Sequence, residues 1–187
     1  MNRSPVTRSP ARPAAEAATL RRATPADAAV VHRLVLEIAA HEDDLEHVHV
    51  TPERWVELLQ RDDVVVVLAE RDGRALGYTS AVRRLHLWTG GDLLAVDDVY
   101  VRPGERSAGL GRRLLTEMAR VAAAEALTVT WGVEPDNVRA QKFYAGLGAT
   151  LRDKVVAGWA PDAYRRLLGA EPDAEPDAEP DAEAVTL

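Results

Sequence analysis

At 187 residues the chain is long enough for one domain with a real core, and its lack of cysteine excludes disulfides, a thiol nucleophile and thiolate metal sites. The net charge of -7 is local: the tail EPDAEPDAEPDAEA, residues 171–184, holds seven acidic residues and no basic one, and residues 1–170 hold 23 of each sign. A neutral body argues against nucleic-acid binding, which needs a basic face. No run of 18 apolar residues offers a membrane span.

Residues 1–18 mix Pro and Arg with little to bury. They read as a disordered arm, and without a continuous apolar stretch they make no convincing signal peptide. A single domain is expected over 19–168, followed by a disordered acidic tail over 169–187. The composition suits a cytoplasmic protein. TLRRA (19–23) predicts a short opening strand. A helix follows, with Thr24 as cap, Pro25 in its first turn and Asp27 three residues after the cap. Thr51 and Pro52 repeat that start for a second helix. VVVVLAE (64–70) and the segment from Ala75 read as strands joined by an Asp72-Gly73 hairpin turn. DLLAVDDVYV (92–101) is a third long strand, and a helix runs from about Gly109 to Ala124. LTVTWGV (127–133) is another strand, Asn137 is a candidate cap for a helix through VRAQKFYAGLG (138–148) that Gly146 or Gly148 would end, and ATLRDKVV (149–156) predicts a closing strand. The class is therefore α/β in the broad sense (α+β), a mixed central sheet flanked by helices.

The turn Arg106-Ser107-Ala108-Gly109-Leu110-Gly111 lies between a strand and a helix. Glycines let backbone N–H groups approach a ligand, and a helix start adds free donors and the positive end of its dipole. Arg106, Arg112 and Arg113 supply charge, so an anion such as a pyrophosphate fits here. Surface arginines on an ordinary turn are the plainer reading. Neither the Rossmann nor the Walker glycine spacing is present.

VRPGERSAGLG (101–111) resembles the acetyl-coenzyme A signature of the GCN5-related N-acetyltransferases (GNAT), and DNVRAQKFYAGLGA (136–149) resembles that family's second motif. The resemblance covers about residues 19–157. It implies the GNAT fold, an acetyl-CoA co-substrate, no metal, and direct attack of an amine on the thioester. It also implies that the fourth and fifth strands splay, with the backbone of Val99, Tyr100 and Val101 holding the pantetheine arm. Arg106, Ser107, Ala108, Gly109, Leu110, Gly111 and Arg112 would then line the pyrophosphate turn. Asn137 would lie near the coenzyme or only cap its helix, and Phe143 would be mainly core with one face toward the coenzyme. Tyr144 would be the general acid for the leaving thiolate, a role its reference pKa of about 10 suits.

GGDLLAVDDVYVRP (90–103) and EIAAHEDDLEHV (37–48) also resemble the diamine (spermidine/spermine-like) branch of the family. Two departures stand out: Asp97 replaces the branch's usual Glu, and AGWAPDAYRRLLG matches its final strand poorly. Asp97 and Asp98 are candidate amine-binding and proton-relay carboxylates. Neighbours on a strand point to opposite faces, so one alone reaches a given pocket unless a bulge changes the register. Glu42, His41 and Trp88 are candidates for the acceptor wall. The cluster from His41 to His49 fits no tight metal signature. The expected reaction is acetylation of a primary amine on a small cationic acceptor, a polyamine, diamine or lysine-like amine. The alternatives are an aminoglycoside or protein-amine acceptor, or a non-catalytic acyl-CoA-binding regulatory module. Family resemblance also suggests a homodimer.

Overall fold

A computed structural model gives the fold and describes residues 17–106 and 109–169. The arm up to residue 16, the tail from residue 170, and Ser107 and Ala108 lie outside the described residues. Two compact units divide the chain, Met1–Gly148 and Ala149–Leu187.

The first unit holds a five-stranded sheet in the order β1-β2-β3-β4-β5. Its strands are β1 (Thr19–Arg22), β2 (Val64–Arg71), β3 (Arg74–His86), β4 (Gly91–Val101) and β5 (Thr128–Thr130). Neighbours are antiparallel through β4, and β5 joins β4 in parallel. The helices are α1 (Ala28–Glu42), α2 (Pro52–Leu58), α3 (Leu110–Ala123) and α4 (Val138–Ala145).

Local chemistry explains most element starts. The Thr24 N–H donates to Asp27 Oδ2 at 2.8 Å, and Arg21 holds the same carboxylate, tying β1 to the entry of α1. Thr51 Oγ1 accepts from the Arg54 N–H at 3.2 Å and caps α2. Asp72 (φ 52°) and Gly73 (φ 72°) make the tight β2–β3 turn, whose two central residues need positive φ. The β-branched run 65–67 is buried on both sides of the sheet. One face packs Leu110, Leu114 and Met118 of α3 against Val65, Val67 and Leu94. The other packs Val31 and Leu34 of α1 and Trp55 of α2 against Val66, Leu68, Tyr78 and Tyr100. Each such fully buried side chain is worth about 1.5–3 kcal/mol.

Two strand expectations need correction. β5 spans three residues rather than seven, because its pairing with β4 ends at Ala95 opposite Thr130. Residues 149–156 form no strand: 149–160 lack regular structure and the chain resumes as helix α5 (Pro161–Gly169). ATLRDKVV holds Thr150, Leu151, Val155 and Val156, but a strand needs a partner. The return segment holds Gly158 and Pro161 and then turns helical, with Trp159 packed edge-on against Tyr164 at 6.2 Å.

Candidate functional site

The site gathers around the second half of β4. Register with β3 shifts between Ser80 and Ala81: Ser80 faces Asp98, while Ala81 faces Val96. Asp97 is therefore the extra residue of a β-bulge. The bulge exchanges the faces of β4. Val96 lies in the α3-side core, while Tyr100, two residues past Asp98, lies in the α1-side core. Val99 and Val101 pack toward α3. Among the described residues, the pairing of β4 with β5 ends at Ala95, and no other strand pairs with that edge beyond it.

At the end of that edge Arg102 donates to both Glu37 oxygens and to the Ala75 carbonyl, fixing the exit of β4 against α1 and β3. This pair holds the Glu37 carboxyl below the usual range. Arg106 bends back, its Nε donating to the Val101 carbonyl at 2.8 Å. Gly109 takes φ 70° at the N-cap of α3, a left-handed turn that favours glycine. Among the described residues, the first N–H of α3 with a backbone acceptor is that of Arg113, onto Gly109. The N–H groups of Leu110, Gly111 and Arg112 belong to the first turn, which by helix geometry lacks acceptors within the helix itself. The Leu110 side chain is buried and anchors that end, Arg112 is exposed, and Arg113 is spent on the Ala18 carbonyl. A Cβ on Gly111 would stand 4.0 Å from Phe143 Cζ and from Val101 Cγ2, so α3, β4 and α4 converge there. This cradle fits an anionic coenzyme: a β4 edge past its described pairing, the N-terminus of α3 and a left-handed glycine.

Asn137 Oδ1 accepts from the Ala140 N–H at 3.0 Å and serves as the α4 cap. Tyr144, half-buried on α4, packs between Trp131 (5.1 Å) and Phe143 (5.4 Å). Burial raises its pKa, so it keeps its proton at neutral pH. Trp131 carried no sequence signal beyond its place in a strand.

On the α1 side three carboxylates act on one phenol. Asp98, Glu42 and Asp97 all raise the pKa of Tyr78, after burial itself as the largest cause. Ser80 Oγ donates to Asp98 Oδ2 at 2.7 Å. The Asp97 carboxyl is raised by desolvation and then by the charge of Asp98, with Arg84 opposing. The Tyr78 hydroxyl is buried and has no hydrogen-bond partner among the described residues, which costs about 1–3 kcal/mol. Sequence reasoning missed Tyr78 and Ser80, because only the bulged register brings them to Asp98. His41 is exposed beside Glu42. Trp88 is 71% exposed at the tip of the β3–β4 hairpin against His86, about 20 Å of strand from Ser80, and is not brought to the carboxylates. No group of three or more metal-ligating side chains is assembled among the described residues.

The acetyltransferase (GNAT) family model matches residues 32–149, a span that holds β4, the glycine turn and α4. The chain belongs to this family. An uncharacterized N-acetyltransferase of Mycobacterium tuberculosis is 33% identical over 97 residues, 51% of this chain and 58% of that relative. The chain thus spans under two thirds of that GNAT-family relative's length. Among solved structures, an aminoglycoside N-acetyltransferase in complex with CoA superposes with a TM-score of 0.66 at 18% identity, covering 80% of this chain and 99% of that one. A ribosomal-protein-alanine N-acetyltransferase from Brucella melitensis gives 0.59 at 21% identity, covering 76% and 100%. These likenesses establish the α/β GNAT fold.

Proposed function

We propose that this GNAT protein transfers the acetyl group of acetyl-CoA to an amine of a small acceptor that carries more than one positive charge. The observation that carries the reading is the acidic set Glu42, Asp97 and Asp98, whose charges all act on the Tyr78 phenol, with both aspartates on the part of β4 past its pairing with β5. Aminoglycosides belong to that class of acceptor, and one of the solved relatives acts on them. Diamines are its simplest members, but neither solved structure named above is described as a diamine acetyltransferase, so the acidic set rather than kinship supports them. A protein amine is the second reading, favoured by the Brucella likeness.

An alkyl ammonium must lose a proton before it attacks, and a carboxylate with a raised pKa is a competent acceptor. Asp97 takes that proton. The amine nitrogen bonds to the acetyl carbon and gives up its second proton to solvent, the carbon–sulfur bond breaks, and the leaving thiolate takes the Tyr144 proton. Solvent then resets both groups. A β4 backbone N–H polarises the thioester carbonyl. No enzyme-bound acyl intermediate is needed, and no cysteine exists to form one. The test is thiol release from acetyl-CoA with an aminoglycoside, a diamine, a neutral-tailed monoamine and a peptide N-terminus. Polycationic small amines should lead by about tenfold in kcat/KM, near 1.4 kcal/mol. Equal rates on the monoamine would remove the charged acceptor from the account.

A further inference from the structure

Two buried hydroxyls of β3 flank Asp98, and the acetyl-transfer reading gives neither a role. Ser80 lies directly opposite Asp98 in the ladder, and Tyr78 lies one same-face position further along, opposite Tyr100. Cross-strand neighbours of this kind bring side chains into contact. Ser80 Oγ already donates to Asp98 Oδ2 at 2.7 Å. The Tyr78 ring is fully buried, and its hydroxyl stands beside Asp98 without a partner among the described residues. Both side chains are buried, Tyr78 fully and Ser80 to 6% exposure. A Tyr78–Asp98 hydrogen bond would pair the buried donor. Asp97 differs. It is the exposed extra residue of the bulge, and no hydrogen bond restrains its carboxylate among the described residues.

We propose that Ser80 and Tyr78 are positioning residues that hold the Asp98 carboxylate toward the distal ammonium of the acceptor, leaving Asp97 as the carboxylate that takes the reacting amine's proton. This rests on the acceptor site proposed above and divides labour within it. Asp98 is the fixed anchor, held from beneath by the Ser80 hydroxyl, with the buried Tyr78 phenol on the same face of the ladder. Asp97 is the untethered one, free to turn between amine and solvent. The bulge is what lets two sequence neighbours serve one pocket in different ways.

The test uses the full chain, with putrescine and butylamine as probes, by calorimetry and by steady-state kinetics. Ser80→Ala and Tyr78→Phe should each weaken putrescine binding and raise its KM by about three- to tenfold. Butylamine and acetyl-CoA should move less than about twofold. In an Asp98→Asn background neither change should add to the loss, since the group they orient is gone. Equal losses on both amines, or full additivity with Asp98→Asn, overturn the proposal. If Ser80→Ala does not fold, Tyr78→Phe, which removes one oxygen, decides alone. Selective putrescine binding that follows this pattern without acetyl transfer would retain the positioning and remove the proposed reaction. Unaltered protein that acetylates amines yet binds putrescine no better than butylamine would do the reverse.

Discussion

Replacing Gly111 by alanine separates what the fold asks of this residue from what a ligand asks. Gly111 is the second residue of α3 and does not adopt a positive φ. The added Cβ would meet Phe143 Cζ and Val101 Cγ2 at 4.0 Å, an ordinary contact distance. Nothing must shift, and the unfolded chain loses freedom, so the free protein should gain about 0.4–1 kcal/mol. For a unit of this size that is a rise in Tm of about 1–4 °C. If the coenzyme's phosphates approach the α3 end, the same methyl obstructs them, and affinity should fall about tenfold, near 1.4 kcal/mol. Acetyl-CoA at a hundred times Kd stabilises a protein by about 2.7 kcal/mol, and tenfold weaker binding leaves about half of that. A thermal-shift titration therefore shows opposite signs: a higher Tm without ligand and a smaller increment with it. Gly109→Ala is the contrasting control, because its φ of 70° makes alanine cost roughly 1 kcal/mol in the free protein. A stabilised Gly111→Ala protein with an undiminished ligand increment would refute the cradle.

Tyr144→Phe should lower kcat about tenfold or more while leaving KM for the amine near its starting value. Unchanged turnover would free Tyr144 from its proposed acid role. Asp98→Asn removes a charge that holds the Asp97 carboxyl up, so the acid limb of the kcat/KM profile should move to lower pH. An unmoved limb would mean that Asp97 is not the base. Glu37→Gln breaks the partly buried pair with Arg102 and should cost about 1–3 kcal/mol in denaturant titrations. Because Glu37 is held below the usual carboxylate range, its contribution is present above that range and fades as pH falls through its folded value. The variant should therefore lose less stability than the parent on acidification, and parallel acid curves would count against the pairing.

Features set by neighbours in sequence were readable before any coordinates. Thr24-Pro25, Thr51-Pro52 and Asp72-Gly73 carry their own turn and cap chemistry, and the structure places caps and a hairpin there. The glycine turn and the Phe143-Tyr144 pair were readable through family resemblance. Features set by distant pairing were not. Residues 149–156 read as a strand, but nothing local reports that no strand partner meets them and that the chain resumes as a helix only at Pro161. The roles of Tyr78 and Ser80 depend on a one-residue shift in a ladder between strands. The same shift decides that Asp97 and Asp98 both act on one phenol, against the plain alternation of a strand.

Gly77 pairs with Val101, and a Cβ there would lie 2.3 Å from the Tyr100 carbonyl oxygen, a collision with backbone that no rotamer relieves. In evolutionary terms this position is a lock. Glu42 and Asp97, proposed to face the acceptor, can each drift as an acceptor preference changes, because each costs only its own interactions. A lineage that replaces Gly77 must respace β3 from β4, and that displaces Tyr78 and Ser80 from Asp98 together with the β4 edge. Acceptor diversity within this lineage should therefore accumulate around a glycine that touches no substrate.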